Sequence, residues 1–328
     1  MPAALPVAGA LRAAAVTLLH RDRPDDVVPA AALSQSFAER AALISAPREA
    51  FAGLSLDKPL VMGVINVTPD SFSDGGDRLD AERAISEGLA MARAGAAILD
   101  VGGELTRPGA EPVPIAEELR RVLPVIEALA AQGLLVSVDT RRPEVMRAAA
   151  SAGARILNDV TALTGDPGSL ETAAELGLPV VLMHMQGEPR SMQADPTYCD
   201  VALDVFDNLE ARVAACLAAG IPRRHIAIDP GIGFGKTLAH NLQLLDRLAL
   251  FHGLGCAVML GVSRKSFIAR LMQEQDPPPK QRLPGSLAAA LAGLQRGVQI
   301  LRVHDVAETC QAVAVWEAIS RIEIQSFP

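Results

Sequence analysis

The chain of 328 residues could form one large domain or two ordinary ones, and its hydrophobic content of 50% is ample for a large core. Its formal net charge of −8 argues against nonspecific binding to nucleic acid, because phosphate contacts need a surplus of Lys and Arg. Four scattered cysteines, no long uncharged apolar run and an N-terminus without the basic start of a signal peptide predict a cytoplasmic protein with reduced thiols and no membrane span.

The first 58 residues differ from the remainder in composition and periodicity. They are rich in Ala and Pro, show weak helical periodicity around residues 31–44 and contain no clear strand. We therefore divide the chain into an N-terminal extension of unknown role, residues 1–58, and a second domain, residues 59–328.

From Leu60 onwards, short apolar runs alternate with helix-like stretches, and each run stops at a Gly or a polar residue. The eight runs are LVMGVIN, AAILDVGG, LLVSVDT, ARILND, PVVLMHM, HIAIDPGIGFGK, AVMLGVSRKS and VQILRVHD. The predicted helices span residues 81–94, 115–131, 143–151, 169–176, 201–219, 238–248, 286–296 and 305–319. Near-continuous apolar runs are typical of parallel strands buried on both faces. Eight strand–helix pairs favour an α/β fold of the (β/α)8 TIM-barrel type over a doubly wound open sheet.

In such a barrel, the chemistry lies where each strand ends and its loop begins. The residues at or near the ends of these runs include a set rich in charge and amide groups, namely Asn66, Asp100, Asp139, Asn158, Asp229, Lys265, Arg302 and His304. A packing core has no use for such groups. Their positions therefore predict a site for a polar ligand.

Arg302 and His304 lie two residues apart on a predicted strand end, so their side chains should point the same way. A guanidinium and an imidazole that converge suit an anionic cluster of oxygens such as phosphate. An equally weighted alternative is that Arg302 pairs with Asp305 and that the imidazole is merely structural.

Asp139, Asn158 and Asp229 end three separate predicted strands, with Lys265 close to a fourth. Carboxylates and an amide at strand ends can recognise a ring rich in N–H and C=O groups through paired hydrogen bonds. Any one of them could instead brace a loop or cap a helix, but three together favour a binding role.

Two further patterns carry less weight. Asn66 could offer its carbonyl oxygen to Mg²⁺, which takes few protein ligands beside substrate phosphates, whereas no histidine spacing suggests zinc. The run GIGFGKT beginning at Gly231 lacks the spacing of both common nucleotide-binding glycine motifs, although its glycines allow close approach to a ligand. We interpret His184, at the end of an apolar run, as structural.

Taken together, the strand-end motifs resemble those of the dihydropteroate synthase family. The matching stretches are MGVINVTPDSFSDGG (62–76), DVGGELTRPGA (100–110), VSVDTRRPEV (136–145), ILNDV (156–160), LMHMQGEPRSMQ (182–193), IDPGIGFGKTLAHN (228–241), GVSRKSFI (261–268) and RVHDV (302–306). The resemblance covers residues 60–325 and leaves residues 1–58 unexplained.

The resemblance implies a pterin-binding TIM barrel that is a homodimer. It implies a transferase of folate biosynthesis that joins 6-hydroxymethyl-7,8-dihydropterin diphosphate to p-aminobenzoate, releases diphosphate, uses Mg²⁺ and is a target of sulfonamides. Its partners are therefore small molecules. The attacking aromatic amine is neutral and needs no strong base, so we expect a dissociative substitution in which the C–O bond breaks first.

The same resemblance implies a role for each matched residue. Asp139, Asn158 and Asp229 would bind the pterin, and Lys265 would bridge it to the second substrate's end of the site. Arg302, His304 and Asn66 would hold diphosphate and Mg²⁺, with Asn66 as the metal ligand. The remaining implied groups come from loops: the catalytic residues Asp74, Thr106 and Arg107, and the p-aminobenzoate pocket formed by Phe72, Pro108 and Ser266. Of these, Asp74 would stabilise the pterin methylene cation.

One position departs from the family, whose loop normally reads G-E-S-T-R-P-G where this chain has Leu105. Because Thr106, Arg107 and Pro108 are intact, we expect activity to survive. An unchanged Michaelis constant for p-aminobenzoate in Leu105→Ser would show the position to be neutral. Two other functions stay open at this point: a methyltetrahydrofolate:corrinoid methyltransferase, which has no diphosphate to hold, and a ligand-binding relative without turnover.

Overall fold

The computed structural model describes residues 5–8, 11–13, 15–30, 37–67, 77–104, 113–188, 191–272 and 277–320. Its centre is a closed barrel of eight parallel strands, which confirms the predicted (β/α)8 architecture. The barrel strands are β5 (Leu60–Asn66), β6 (Ile98–Gly102), β7 (Val136–Asp139), β8 (Ile156–Asp159), β9 (Val180–Met183), β10 (Ile226–Asp229), β11 (Ala257–Leu260) and β12 (Ile300–Val303). They neighbour one another in chain order, and β12 pairs with β5 to close the ring.

Helices surround this barrel close to the predicted positions. They are α2 (Asp77–Arg93), α3 (Ile115–Ala130), α4 (Pro143–Ala152), α5 (Ser169–Leu176), α6 (Val201–Ala218), α7 (Leu238–Asp246), α9 (Leu283–Gln295) and α10 (Val306–Ser320). A short helix, α8 (Ser266–Leu271), follows β11 and was not predicted. The start and end of α4 follow from its sequence, because Pro143 occupies the first turn and Gly153 ends the helix with φ of 113°.

The expectation that the N-terminal extension contains no strand is wrong. It forms two antiparallel hairpins, β1 (Leu5–Val7) with β2 (Leu11–Ala13) and β3 (Ala15–Leu18) with β4 (Asp26–Pro29), followed by helix α1 (Ala38–Ser45). Strands of three or four residues at the surface carry too little hydrophobic periodicity to be recognised.

The extension is attached to the barrel through α6. Arg21 forms ion pairs with Asp204 (2.6 Å) and Asp207 (2.5 Å), and Arg40 pairs with Glu210 (2.8 Å). Whether residues 1–58 form a separate domain stays a prediction.

Two apolar cores hold the barrel. The larger lies between strands and helices, and the smaller fills the amino end of the barrel interior, where Phe51 and Leu56 pack with Met62, Ile98 and Ile156. Since the amino end is closed by apolar side chains, the polar strand ends meet at the opposite, carboxyl end. Within the described residues, no helix has the length and hydrophobicity needed to cross a membrane.

Candidate active site at the carboxyl end of the barrel

Asp100 on β6 is the centre of a buried polar network. Its side chain is fully buried, and its Oδ2 accepts hydrogen bonds from Asn158 Nδ2 (2.9 Å) and Arg302 Nε (2.7 Å). Arg302 Nη2 also donates to Asp139 Oδ2 (2.7 Å). Residues from β6, β7, β8 and β12 are thus joined in one chain of charged and amide groups. Three residues of this network, Asp139, Asn158 and Arg302, were predicted to share a site.

A second group, from β10 and the loop after β11, lies beside this network. Asp229, Lys265 and Arg302 all approach Gly261. A Cβ atom placed on Gly261 would lie 3.6 Å from Asp229 Oδ2, 3.6 Å from Lys265 Nζ and 4.0 Å from Arg302 Cβ. Asp229 Oδ1 accepts a hydrogen bond from the Gly231 N–H at 2.7 Å, so Oδ2 is the oxygen nearest that point. The five predicted residues Asp139, Asn158, Asp229, Lys265 and Arg302 therefore occupy a single site.

Burial sets the ionisation of this cluster. It raises the pKa of Asp139 and of Asp229, against the opposing pull of Arg302 and Lys265 respectively. Burial lowers the pKa of Lys265 to about 8, with Asp229 opposing the change. Burial also acts against the charge of Arg302, but Asp100 and Asp139 outweigh it and raise the Arg302 pKa. Arg302 is therefore a fixed cation, and Lys265 is the cation that can lose its proton near neutral pH.

The Lys265 ammonium is held by the loop after β10. Its Nζ donates to the Ile232 carbonyl and lies 4.6 Å from the centre of the Phe234 ring. A cation over an aromatic face is stabilised by the negative charge of the ring. The position of Lys265 thus depends on the conformation of this glycine-rich loop.

The glycine-rich loop packs closely against the loop after β9. Gly231 has φ of 71°, and a Cβ there would lie 1.9 Å from the His184 carbonyl oxygen, so a glycine is required by close approach to the loop after β9. Lys236 Nζ is buried and lies 2.9 Å from the Phe234 carbonyl oxygen and 3.0 Å from His184 Nδ1. Lys236 and His184 therefore tie two loops together, in keeping with the structural interpretation of His184.

His304 lies one residue beyond β12, and its imidazole contacts the hydroxyl of Ser263. The His304 backbone N–H donates to Ser263 Oγ (3.2 Å), and the same hydroxyl lies 3.1 Å from His304 Nδ1. When the Ser263 hydroxyl donates its proton to Nδ1, the Nε2–H of His304 is left as a donor toward the site. Burial, helped by the charge of Arg302, lowers the pKa of His304 to about 4. Without ligand at pH 7, this imidazole is thus a neutral donor rather than a cation.

The remaining predicted residues divide into two groups. Asn66 ends β5 and is half-buried, and Ser266 is the exposed first residue of α8, directly after Lys265. The others lie outside the described residues, and their roles stay predictions: Phe72, Asp74, Leu105, Thr106, Arg107 and Pro108.

Two interactions differ from the sequence-based expectation. Asp305 does not pair with Arg302 but with Arg264, whose Nε donates to Asp305 Oδ2 at 2.9 Å. Asp100 stands among the polar strand ends, yet nothing in the sequence marks it as the shared partner of Asn158 and Arg302. Ser263 lies within the motif GVSRKS, but its contact with His304 depends on two strands meeting in the closed barrel.

Comparisons with known proteins identify the family. The model of the pterin binding enzyme family matches residues 62–304. The dihydropteroate synthase of Escherichia coli (strain K12) is 50% identical over 266 residues, which cover 81% of this chain and 93% of the relative. That of Bacillus subtilis (strain 168) is 42% identical over 264 residues, covering 80% and 89%.

Solved structures give the same result. The Xanthomonas albilineans dihydropteroate synthase with 4-aminobenzoic acid is 52% identical, has a TM-score of 0.78 and covers 83% of this chain and 97% of its own. The same enzyme in complex with 7,8-dihydropteroate is 50% identical with a TM-score of 0.75, covering 82% and 97%. A Yersinia pestis dihydropteroate synthase with a sulfonamide drug complex is 47% identical with a TM-score of 0.77, covering 82% and 97%. With the barrel, its strand-end cluster and these identities in agreement, the chain belongs to the pterin-binding enzyme family and, within it, to the dihydropteroate synthases.

Proposed function

We propose that the carboxyl end of the barrel carries out the dihydropteroate synthase reaction by dissociative substitution. As a member of that group, the chain condenses 6-hydroxymethyl-7,8-dihydropterin diphosphate with p-aminobenzoate to give 7,8-dihydropteroate and diphosphate. The observation that carries the mechanism is the division of the site into acceptor-rich groups on one side and cationic donors on the other.

The pterin half consists of Asp139, Asn158 and Asp229. Carboxylate and amide oxygens suit the N–H-rich, guanidine-like edge of a pterin, and all three side chains are largely buried. Asp139 is fixed by Arg302 and Asn158 by Asp100, so these groups are oriented before any ligand arrives. Such preorganisation lowers the entropic cost of binding.

The leaving-group half consists of Arg302 and His304. A guanidinium has five N–H donors, and Arg302 uses two of them on Asp100 and Asp139 among the described residues. The other three can donate to diphosphate oxygens, and the His304 Nε2–H can add a fourth hydrogen bond. These donors stabilise the negative charge that grows on the bridging oxygen as the C–O bond breaks.

Lys265 lies between the two halves. A Cβ atom on Gly261 would lie 3.6 Å from both its Nζ and Asp229 Oδ2, so Lys265 can donate to the pterin and bridge it to the second substrate's end of the site. The attacking aromatic amine is neutral and carries its own lone pair, so the site needs no strong base. On resemblance alone, Asp74 stabilises the pterin methylene cation, Thr106 and Arg107 complete the catalytic loops, and Phe72, Pro108 and Ser266 line the p-aminobenzoate pocket.

The residues present fit Mg²⁺ held largely by substrate. The described residues contain no cluster of three His, Cys, Asp or Glu side chains able to hold a metal, which excludes a cage of such ligands there. Asn66 offers a hard amide oxygen at the end of β5, in register with Gly102 on the neighbouring strand. One such ligand suits Mg²⁺, which keeps several waters and takes substrate phosphates. When bound, Mg²⁺ supplies charge neutralisation for the departing diphosphate.

Relatives support the proposed ligands. The X. albilineans complexes with 4-aminobenzoic acid and 7,8-dihydropteroate support the two substrates, and the Y. pestis complex supports sulfonamides as inhibitors of this chain.

We also propose a cytoplasmic homodimer. Val315 and Ile319, one turn apart on α10, are 56% and 66% exposed, as suits a subunit contact. Light scattering during size exclusion tests the dimer, and a monomer at micromolar concentration would contradict it.

The test of function is a diphosphate-release assay that requires both substrates and Mg²⁺. We expect Lys265→Ala and Asp229→Asn each to lower the rate by about 10²-fold, as is typical when one preorganised group is lost. Lys280→Ala, which removes an exposed lysine elsewhere, is the control. Full rates in both site variants would overturn the site assignment. Tight pterin binding without turnover would instead indicate a binding protein.

A further inference from the structure

A second polar cavity lies at the amino end of the barrel, where the N-terminal extension meets the loops that precede β10 and β11. Its volume is about 170 Å³, several times the ~30 Å³ that one water takes in the liquid. Arg48 of the extension lines it together with Arg223 and Arg224 of the barrel, and Glu49 is the acidic residue among its lining. We refer to it as the amino-end cavity.

None of these three arginines forms an ion pair with a carboxylate of the described residues. Elsewhere the half-buried arginines Arg142 and Arg264 have such partners: Arg142 pairs with Glu118 at 3.1 Å, and Arg264 pairs with Asp305. Positive charges that gather without partners repel one another. With Glu49 as the acidic residue of the lining against three arginines, the cavity carries an excess of positive charge.

Arg48 is fixed in place by backbone carbonyl groups alone. It donates to the carbonyl oxygens of Cys256 (3.0 Å), His252 (3.0 Å), Leu43 (2.9 Å) and Ala46 (2.8 Å). These bonds satisfy its N–H groups but supply no negative charge. Burial, and then the neighbouring Arg223, lower the pKa of Arg48, in keeping with an uncompensated cation.

Arg223 and Arg224 retain most of their donor capacity. Arg223 Nη1 donates to the Leu254 carbonyl, and Arg224 is exposed. Gly255 forms the wall between the two segments, because a Cβ there would lie 2.8 Å from Leu43 Cδ2 and 3.2 Å from Arg223 Cδ. Three arginines thus line a space of about 170 Å³, which is large enough for a hydrated anion.

We propose that the amino-end cavity binds a phosphate group, either free or carried by a metabolite, at a site separate from the active site. Phosphate presents more oxygens than a carboxylate and a charge near −2, so it can accept from several planar guanidinium forks at once. The bound anion removes the repulsion between Arg48 and Arg223 and links the N-terminal extension to the barrel. The extension thereby acquires a role in ligand binding.

The test compares the full chain with Arg223→Gln/Arg224→Gln by equilibrium dialysis against inorganic phosphate, with sodium chloride keeping the ionic strength constant. Phosphate that binds at the active site should bind both chains equally. The difference in bound phosphate between the two chains therefore measures binding in the amino-end cavity. Arg93→Gln/Arg155→Gln is the matched control, because it removes two exposed arginines without carboxylate partners among the described residues. Repeating the titration with a phosphomonoester separates a free anion from a carried phosphate.

We expect the wild-type chain to bind one phosphate more than the Arg223→Gln/Arg224→Gln chain, or to bind it about tenfold or more tightly. Phosphate should also raise the melting temperature of the wild type and of the control by more than that of the double variant. Diphosphate release from substrates should stay within about twofold of wild type in all three chains, because the cavity lies at the end opposite the active site. Equal phosphate stoichiometry and affinity in the wild type and the Arg223→Gln/Arg224→Gln chain would overturn the proposal.

Discussion

The two ends of the barrel contrast sharply in chemistry, although the same eight strands form both. At the amino end, Phe51 and Leu56 close the interior against apolar side chains such as Met62 and Ile98. At the carboxyl end, buried carboxylates surround Arg302 and Lys265. Apolar burial stabilises the first end, whereas at the second end charges are held in low dielectric, where their mutual attraction is offset by the cost of desolvation.

This difference shows how the barrel separates stability from chemistry. The apolar interior at the amino end stabilises the fold, and this stability allows the carboxyl end to hold buried charges. The account therefore predicts that substitutions at the two ends affect different measurements. The following variants test that separation.

The largest effect is expected for Arg302→Ala. The change leaves Asp100 and Asp139 buried without their cation, which should cost about 3–5 kcal/mol in the free energy of unfolding. It also removes a donor to the leaving group, so kcat/KM should fall by about 10²–10³-fold. Arg247→Ala is the control, because Arg247 also bridges two carboxylates, Asp25 and Asp200, but these are 30% and 24% exposed, whereas Asp100 and Asp139 are 0% and 9% exposed. Equal losses in the two variants would contradict the account.

At the opposite end, Phe51→Ala should lower stability without affecting chemistry. Phe51 is 1% exposed, and removing a buried aromatic ring typically costs about 3–5 kcal/mol. We expect kcat within about twofold of wild type at a temperature where the variant is folded. Val27→Ala in the same extension, 73% exposed, should change the unfolding free energy by less than about 0.5 kcal/mol. A loss of kcat in Phe51→Ala comparable to that of Arg302→Ala would show that the ends are not separate.

A third prediction concerns pH at the carboxyl end. Because burial lowers the pKa of Lys265 to about 8, the ammonium that the reaction needs is lost as pH rises through that value. kcat/KM reports the free enzyme, so it should fall on the alkaline side with an apparent pKa near 8. In Lys265→Gln, the residual kcat/KM should no longer fall on the alkaline side. In Lys280→Gln, this alkaline decrease should remain. If kcat/KM of Lys265→Gln still decreased at alkaline pH, the titrating group would not be Lys265.

The same shift has a consequence for stability. Unfolded Lys265 regains its ordinary pKa of 10.5, so between pH about 8 and 10.5 the unfolded state binds more protons than the native state. Lys265 should therefore make the unfolding free energy rise with pH in that window, and Lys265→Gln should abolish this contribution. Urea unfolding at pH 8 and pH 10 measures it.

The smallest effect is expected for Ser263→Ala. The hydroxyl holds the His304 imidazole through a hydrogen bond of 3.1 Å, and a neutral hydrogen bond contributes about 1 kcal/mol. We expect about a fivefold loss in kcat/KM for the pterin diphosphate. The unfolding free energy should also fall by about 1 kcal/mol, because the variant removes the acceptor of the His304 backbone N–H. Ser151→Ala, which removes an exposed hydroxyl bonded to a backbone carbonyl, is the control. No difference between the two variants would remove Ser263 from the positioning of His304.

The strand order and the polar strand ends could be predicted because parallel barrel strands are buried on both faces and end at one rim. The two hairpins of the extension could not, since strands of three or four residues leave almost no periodic signal. Individual side-chain pairings also could not be predicted from the sequence. Asp305 is close to Arg302 in sequence but pairs with Arg264. The pairing depends on the positions that the side chains take in the closed barrel, which the sequence does not give.

Asp100 shows the same limit within the site. Its run marks it as a polar strand residue, but only the closed barrel brings Asn158 and Arg302 to the same carboxylate oxygen. Ser263 likewise acquires its role through the contact between the loop after β11 and the end of β12.

The central claim is that acceptors and donors from distant segments form one pterin and diphosphate pocket at the carboxyl end. Equilibrium binding of 6-hydroxymethyl-7,8-dihydropterin to Asp229→Asn tests it most directly, with Asp246→Asn, an exposed carboxylate, as the control. We expect the Asp229 variant to bind about tenfold or more weakly and the control to bind like wild type. Wild-type affinity in Asp229→Asn would contradict the account.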